Sequence, residues 1–190
     1  MRIAVIGTGH IGGTLGGKWR AAGYDVVYGS RKGEGEGPGG APLRPIGDAI
    51  TGADVVVLAI PGGAVAETIT PHGPALDGRI VVDATNNMSG PVPDARSAIT
   101  AAVPDVRYVR AFNTLGWENF ADPAPGAALF FAAEASARET SEELIRAVGL
   151  EPAHVGDADA TGIVDALLPL WFALVKLNGG NRRVALSIVR

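Results

Sequence analysis

Ile3-Ala4-Val5-Ile6-Gly7-Thr8-Gly9-His10-Ile11-Gly12 decides the fold of this 190-residue chain. Four consecutive apolar residues read as a strand buried on both faces, and they run directly into a G-x-G-x-x-G pattern. With 27 glycines in the chain an accidental match is easy, so the position of the pattern carries the weight. It follows a strand and opens a helix. Gly7 then makes the turn, Gly9 lets a pyrophosphate approach the backbone, and Gly12 allows close packing of helix on strand. Thr8, His10 and Ile11 complete the loop, whose helix N-terminus offers amide donors and a favourable dipole to an anion.

About twenty residues further on, Asp25-Val26-Val27-Tyr28 reads as a second strand ending in Gly29-Ser30-Arg31-Lys32. An NAD-binding site usually places an acid here for the ribose 2′-hydroxyl. This chain has a hydroxyl and two cations instead. Ser30, Arg31 and Lys32 suit a ribose 2′-phosphate, with Arg31 able to hold it bidentately and Lys32 acting as a point charge. The expected cofactor is therefore NADP(H).

Outward from this unit, apolar runs recur at Val55–Ile60, Ile80–Val82, Tyr108–Phe112 and Ala127–Phe131. Helical stretches fall between the runs at Ile11–Ala22, Ala95–Val103 and Ser136–Val148, the last with Ser136 as an N-cap and Gly149 as a stop. The alternation predicts an α/β fold: a Rossmann-like, doubly wound, mainly parallel sheet with a C-terminal helical extension. Residues 1–157 are expected to form the dinucleotide-binding domain and 158–190 the extension. The glycine-rich segment 33–40 is expected to resist regular structure, as a flap or a surface loop. Pro123-Ala124-Pro125-Gly126 reads as a turn before a strand.

Composition narrows the function. A formal charge of -4 and an isoelectric point near 5.3 give no basic footprint for nucleic acid. There is no Cys, which excludes disulfides and thiolate-bound metals and fits a reducing cytoplasmic compartment. His10, His72 and His154 show no metal-ligand spacing, so no metal is expected. The most apolar stretch, Ala166–Val175, is shorter than the roughly 20 residues that span a bilayer, so no membrane partner is expected.

Ligands of this architecture bind outside the carboxyl ends of the strands. That brings Ala59, Ile60 and Pro61, then Asn86, then Ala111, Phe112 and Asn113 toward one crevice. Asn86 or Asn113 could orient a nicotinamide carboxamide through paired donors and acceptors, or each could cap its own backbone in a turn. No side chain stands out as a catalytic acid or base.

The combination of Gly7-Thr8-Gly9, Gly29-Ser30-Arg31-Lys32, Ala59-Ile60-Pro61 and Val109-Arg110-Ala111-Phe112-Asn113-Thr114 resembles the F420-dependent NADP oxidoreductase family, distant relatives of the STEAP oxidoreductase domain. The resemblance continues through Ala166–Leu170 and Lys176-Leu177-Asn178-Gly179. It implies hydride transfer between NADP(H) and the deazaflavin coenzyme F420, with Gly7, Thr8, Gly9, His10, Ile11, Gly12, Ser30, Arg31, Lys32, Ile60, Pro61, Ala111 and Asn113 as cofactor contacts or near neighbours. One departure is visible: archaeal F420 reductases carry Leu-His-Thr where this chain has Phe112-Asn113-Thr114. The alternative is an NADPH- or F420H2-dependent reductase of another small organic substrate, such as a cyclic imine or activated alkene. A non-catalytic NADP(H) sensor is a third reading.

Between Ile163 and Leu177 apolar residues cover nearly the whole circumference of a helix, whereas a surface helix keeps one polar face. Burial on more than one side is expected, with Pro169 bending the helix and a homodimer supplying the second cover.

Overall fold

The computed structural model describes residues 1–31 and 33–189. Its strands are β1 (Arg2–Ile6), β2 (Asp25–Gly29), β3 (Gly35–Glu36), β4 (Pro42–Arg44), β5 (Val55–Leu58), β6 (Ile80–Asp83), β7 (Arg107–Arg110), β8 (Ala128–Ala133) and β9 (Glu151–His154). The α-helices are α1 (His10–Ala21), α2 (Ile46–Ile50), α3 (Val65–Ile69), α4 (Gly73–Leu76), α5 (Arg96–Ala102), α6 (Trp117–Ala121), α7 (Ala135–Val148), α8 (Thr161–Asp165) and α9 (Leu167–Leu177). Among the described residues the strands form one sheet in the order β3-β4-β2-β1-β5-β6-β7-β8-β9. The chain leaves β1 toward β2 on one side and returns to β5 on the other, so the sheet reverses direction of growth beside β1. This is the Rossmann-like α/β fold that the first ten residues predict.

Successive side chains of a strand face opposite ways, and the core divides accordingly. Ile3, Val5, Val55 and Val57 join Leu15 and Trp19 of α1 and Leu144 of α7 on one face. Ala4, Ile6, Val56 and Leu58 join Ile50, Ile69 and Ile99 on the other. Trp19 donates from Nε1 to the Leu144 carbonyl at 3.0 Å, fastening α1 to α7. Helix α7 ends where expected: Gly149 takes φ +98°, and Leu150 N–H bonds back to the Ile145 carbonyl.

Several local expectations are corrected. Helix α7 begins at Ala135 with Glu134, not Ser136, in the N-cap position, and Glu134 makes no side-chain cap. The run Val55–Ile60 stops being a strand at Leu58, and Tyr108–Phe112 stops at Arg110, because Phe112 adopts φ +63° and turns the chain. The sheet is mainly parallel, as expected, with β8 antiparallel to β7, where Val109 lies opposite Ala133. The glycine-rich segment is partly regular, since Gly35–Glu36 pairs antiparallel with β4 and a short turn of 3-10 helix occupies Pro38–Gly40. Strand β9 was not legible at all; its Glu151 and Val155 N–H groups donate to β8, which turns Pro152 toward the open edge.

The C-terminal extension is two helices, parted at Ala166. Pro169 has no N–H to give the Asp165 carbonyl, and its ring crowds that carbonyl, so the helix breaks one turn ahead of the proline. Counted from Ala158, the helical run to Leu177 is 20 residues, long and apolar enough to cross a membrane by length and composition alone, which corrects the expectation drawn from Ala166–Val175. Asp165, in the middle of the run, is tied to the sheet. Arg110 of β7 is fully buried and donates to Asp165 Oδ1 from Nε at 2.8 Å and Nη2 at 2.6 Å. The same guanidinium lies 3.2 Å from Asp83 Oδ1 of β6 and donates to the Thr85 carbonyl at 2.7 Å. Residues 181–189 then fold back, with Leu186 bonding to Ala128 of β8.

Removing the buried cation while keeping the side-chain bulk leaves the Asp83 carboxylate without its charge partner, and losing one member of a buried pair costs about 3–5 kcal/mol. Arg110→Met is expected to lower unfolding stability by that amount in urea melts, while Arg138→Met on the exposed face of α7 changes it by less than about 1 kcal/mol.

Candidate functional site: the crevice at the carboxyl ends of the strands

The crevice is shaped by two absent side chains. Gly7 takes φ +114°, and a Cβ there would lie 2.3 Å from the Ala59 carbonyl oxygen; at Gly12 it would lie 2.1 Å from the Gly7 carbonyl oxygen. Only glycine permits both approaches, which bring the ends of β1, β5 and α1 together. Gly9 differs, since a Cβ added there meets nothing within 4 Å. Its backbone is ordinary (φ -74°, ψ -170°), so the glycine answers to open space in front of it. Gly9 is also the N-cap of α1, with no side chain capping the first amides and no acid in the first turn. An uncapped helix N-terminus facing an open crevice fits a pyrophosphate.

Beside this loop lies a cavity of about 200 Å³ lined by Gly7, Thr8, Ser30, Arg31, Ile60 and Pro61 among others. The structure thus gathers residues from β1, β2 and β5 that were singled out separately. Ile46, Ala64 and Thr68 also line it and carry no sequence signal of their own. The end of β2 presents Ser30, whose N–H bonds the Arg44 carbonyl at 3.0 Å, and the exposed Arg31. Lys32 lies outside the described residues. His10 is the first residue of α1 and not a loop residue; its exposed ring stacks on Trp117 at 5.1 Å between centroids, with planes 18° apart. Ile11 packs against the core.

At the other end of the crevice, Asn86 and Asn113 meet. Asn86 Nδ2 donates to the Asn113 carbonyl at 2.8 Å, and its Oδ1 accepts from Arg110 Nη2 at 3.2 Å. Asn86 thereby braces two strand-end loops against each other. Asn113 Nδ2 donates to Asp165 Oδ1 at 3.0 Å. Between them Ala111 is fully buried, and Phe112 is held in its positive-φ conformation by edge-on contacts with Trp19 (5.7 Å) and Phe120 (5.8 Å). A bulky residue at positive φ is strained, and strain of this kind gathers where a site over-determines the backbone.

Sequence reasoning missed Asp83, Arg110 and Asp165. The signal was present: charged residues embedded in or closing apolar strand runs must find partners. Asp83 has them. Its Oδ1 accepts from the Thr85 N–H (3.0 Å) and hydroxyl (2.7 Å), and its Oδ2 from the Ala95 N–H (2.8 Å) and the Tyr108 hydroxyl (3.0 Å). Burial, reinforced by the Asp83 charge, pushes the Tyr108 hydroxyl far above its ordinary range and keeps it a donor.

Comparison with known proteins agrees with this geometry. Residues 2–87 match the family model described as "NADP oxidoreductase coenzyme F420-dependent". A crystal structure from Arthrobacter sp. FB24, provisionally described as an F420-dependent NADP reductase, superposes with a TM-score of 0.86 at 24% identity over 100% of both chains. A hypothetical protein from Sinorhizobium meliloti is 29% identical, with a TM-score of 0.72 over 87% of this chain and 89% of its own. An imine reductase from Pseudomonas sp. shares the fold at 17% identity and a TM-score of 0.73; this chain spans 93% of itself on that match but 63% of the reductase. The matched residues 2–87 carry the glycine loop, the basic end of β2 and the Ile60-Pro61 turn, so the likeness to the coenzyme F420-dependent NADP oxidoreductase family lies in the part of the chain that builds the crevice.

Proposed function

We propose that this protein is an NADP-dependent oxidoreductase that passes a hydride between NADP(H) and the deazaflavin coenzyme F420. The observation that carries the reading is the open space before Gly9, flanked by uncapped α1 amides and by a β2 end without an acid. Gly7, Thr8, Gly9, His10, Ile11 and Gly12 would hold the pyrophosphate, and Ser30, Arg31 and Lys32 the 2′-phosphate. Ala59, Ile60, Pro61, Ala111, Phe112 and Asn113 would border the nicotinamide, with Asn86 bracing that border. The bound cofactor supplies or takes hydride at nicotinamide C4, and F420 takes or supplies it at C5. The chain's part is to place two ring systems face to face and exclude water, so positioning carries the rate. A second reading, reduction of another small organic substrate such as a cyclic imine, is favoured by the fold shared with the imine reductase. Loss of F420 absorbance on mixing with NADPH, set against NADPH oxidation with a cyclic imine, separates the two.

We also infer a cytoplasmic homodimer, without nucleic-acid or membrane partners, in which residues 158–190 complete the acceptor site and form the interface. Trp171 and Leu168 are buried within the chain, whereas Ile163 (57% exposed), Leu170 (44%), Phe172 (43%) and Leu177 (83%) are not. Single exposed apolar residues are ordinary; four along one helical run call for a cover.

Three outcomes test these readings. In fluorescence titrations Arg31→Ala is expected to weaken NADPH binding by about 1.5–3 kcal/mol and leave NADH nearly unchanged. In the same titration Gly9→Val abolishes NADPH binding with unaltered thermal stability; equal affinity of the wild type for NADPH and NADH would refute the 2′-phosphate site. Light scattering on a sizing column should give a dimer mass, and Phe172→Glu a folded monomer. Phe172 is chosen over its neighbour Trp171, which packs inside its own chain and donates to the Val184 carbonyl at 2.9 Å.

A further inference from the structure

Among the described residues, Asn113 Oδ1 and Asp165 Oδ2 are both buried and without a hydrogen-bond partner, on two side chains that already touch through Asn113 Nδ2 and Asp165 Oδ1. Were Asp165 ionised, each of these oxygens would be an acceptor with no donor, a costly arrangement away from water. The neighbours do not require that charge. Arg110 brings one positive charge to two carboxyl groups, and Asp83 already binds it while accepting four further hydrogen bonds. Asp165 Oδ1 takes three donors, from Arg110 Nε, Arg110 Nη2 and Asn113 Nδ2, which leaves Oδ2 as the atom to hold a proton.

We infer that Asp165 is a protonated acid whose Oδ2 hydroxyl donates to Asn113 Oδ1, closing a two-hydrogen-bond acid–amide ring that positions Asn113 at the carboxyl end of β7. The ring gives both unpartnered oxygens a role and fixes which way the Asn113 amide faces. The charges around it agree: burial pushes the Asp165 carboxyl up from the ordinary carboxylate range, Arg110 opposes this, and the Asp94 and Asp83 carboxylates add to it. Asp165 is then a positioning residue that acts on the crevice through Asn113, and it couples α8 to the loop that Phe112 holds under strain. The effect on turnover rests on the reading of this crevice as the nicotinamide site; the ring itself does not.

Infrared spectroscopy tests the proton directly. A protonated-carboxyl C=O stretch at neutral pH, shifted in D2O and absent from Asp165→Asn, is expected; its absence from the wild type overturns the proposal. Asparagine can replace the neutral acid in the same ring, so Asp165→Asn should keep stability and kcat/KM, whereas Asp165→Leu should lose about tenfold in kcat/KM, the equivalent of one lost hydrogen bond. Linkage gives a third readout. A carboxyl raised above its unfolded value of about 3.9 leaves stability intact below that pH and removes it as pH rises through the folded value. The wild type should show that decline relative to Asp165→Asn. If Asp165→Asn is as unstable as Asp165→Leu, the charged pair with Arg110 is what matters and the ring is wrong. If Asp165→Asn stays folded but loses turnover, Asp165 passes its proton to the acceptor and is not a positioning residue. Inactivity of every variant with both acceptors would count against the redox reading alone, leaving the infrared band and the pH slope to decide the ring.

Discussion

The crevice depends on a distance that side chains would forbid. With a Cβ at Gly7 or Gly12, the turn out of β1 would collide with backbone oxygens a little over 2 Å away, and α1 could not start where it does. From that constraint follow the direction of the helix, its bare amides and the meeting of β1, β2 and β5 around one cavity. The two faces of core then hold the arrangement rigid, since the strands are buried above and below and leave the loops as the adaptable part.

How far this was legible in the sequence follows from how local each cause is. Strands β1, β2, β5, β6 and β8 announce themselves because burial on both faces forces unbroken apolar runs. The loop Gly7–Gly12 does so because its spacing is set by backbone contacts within a few residues. Strand β9 could not be read, since Glu151-Pro152-Ala153-His154 is strand only by pairing with β8. Nor could the early end of β7, where nothing in Ala111-Phe112-Asn113 shows that a phenylalanine would be held at positive φ by Trp19 and Phe120 from distant helices. The Asp83, Arg110 and Asp165 cluster is non-local in the same way: charge inside apolar runs says that partners exist, but only the folded chain says which.

Those partners join the two parts of the molecule that a linear reading keeps separate. Asn86 and Asn113, proposed as alternatives for one ligand group, prove to be bonded to each other, Asn86 also to Arg110 and Asn113 also to Asp165. Through Arg110 the end of α8, one residue before the break at Ala166, is tied to β7, while Trp171 and Val175 of α9 pack into the core beside it.

Strand β9 has a consequence of another kind. It is the outermost strand, and its inward N–H groups are spent on β8, so recruitment of a foreign strand would rely on the N–H groups of residues 152 and 154. Pro152 has none to offer. At the opposite margin the last strand is two residues long and lies against Pro42. Both borders of the sheet are therefore poor templates for cross-strand growth.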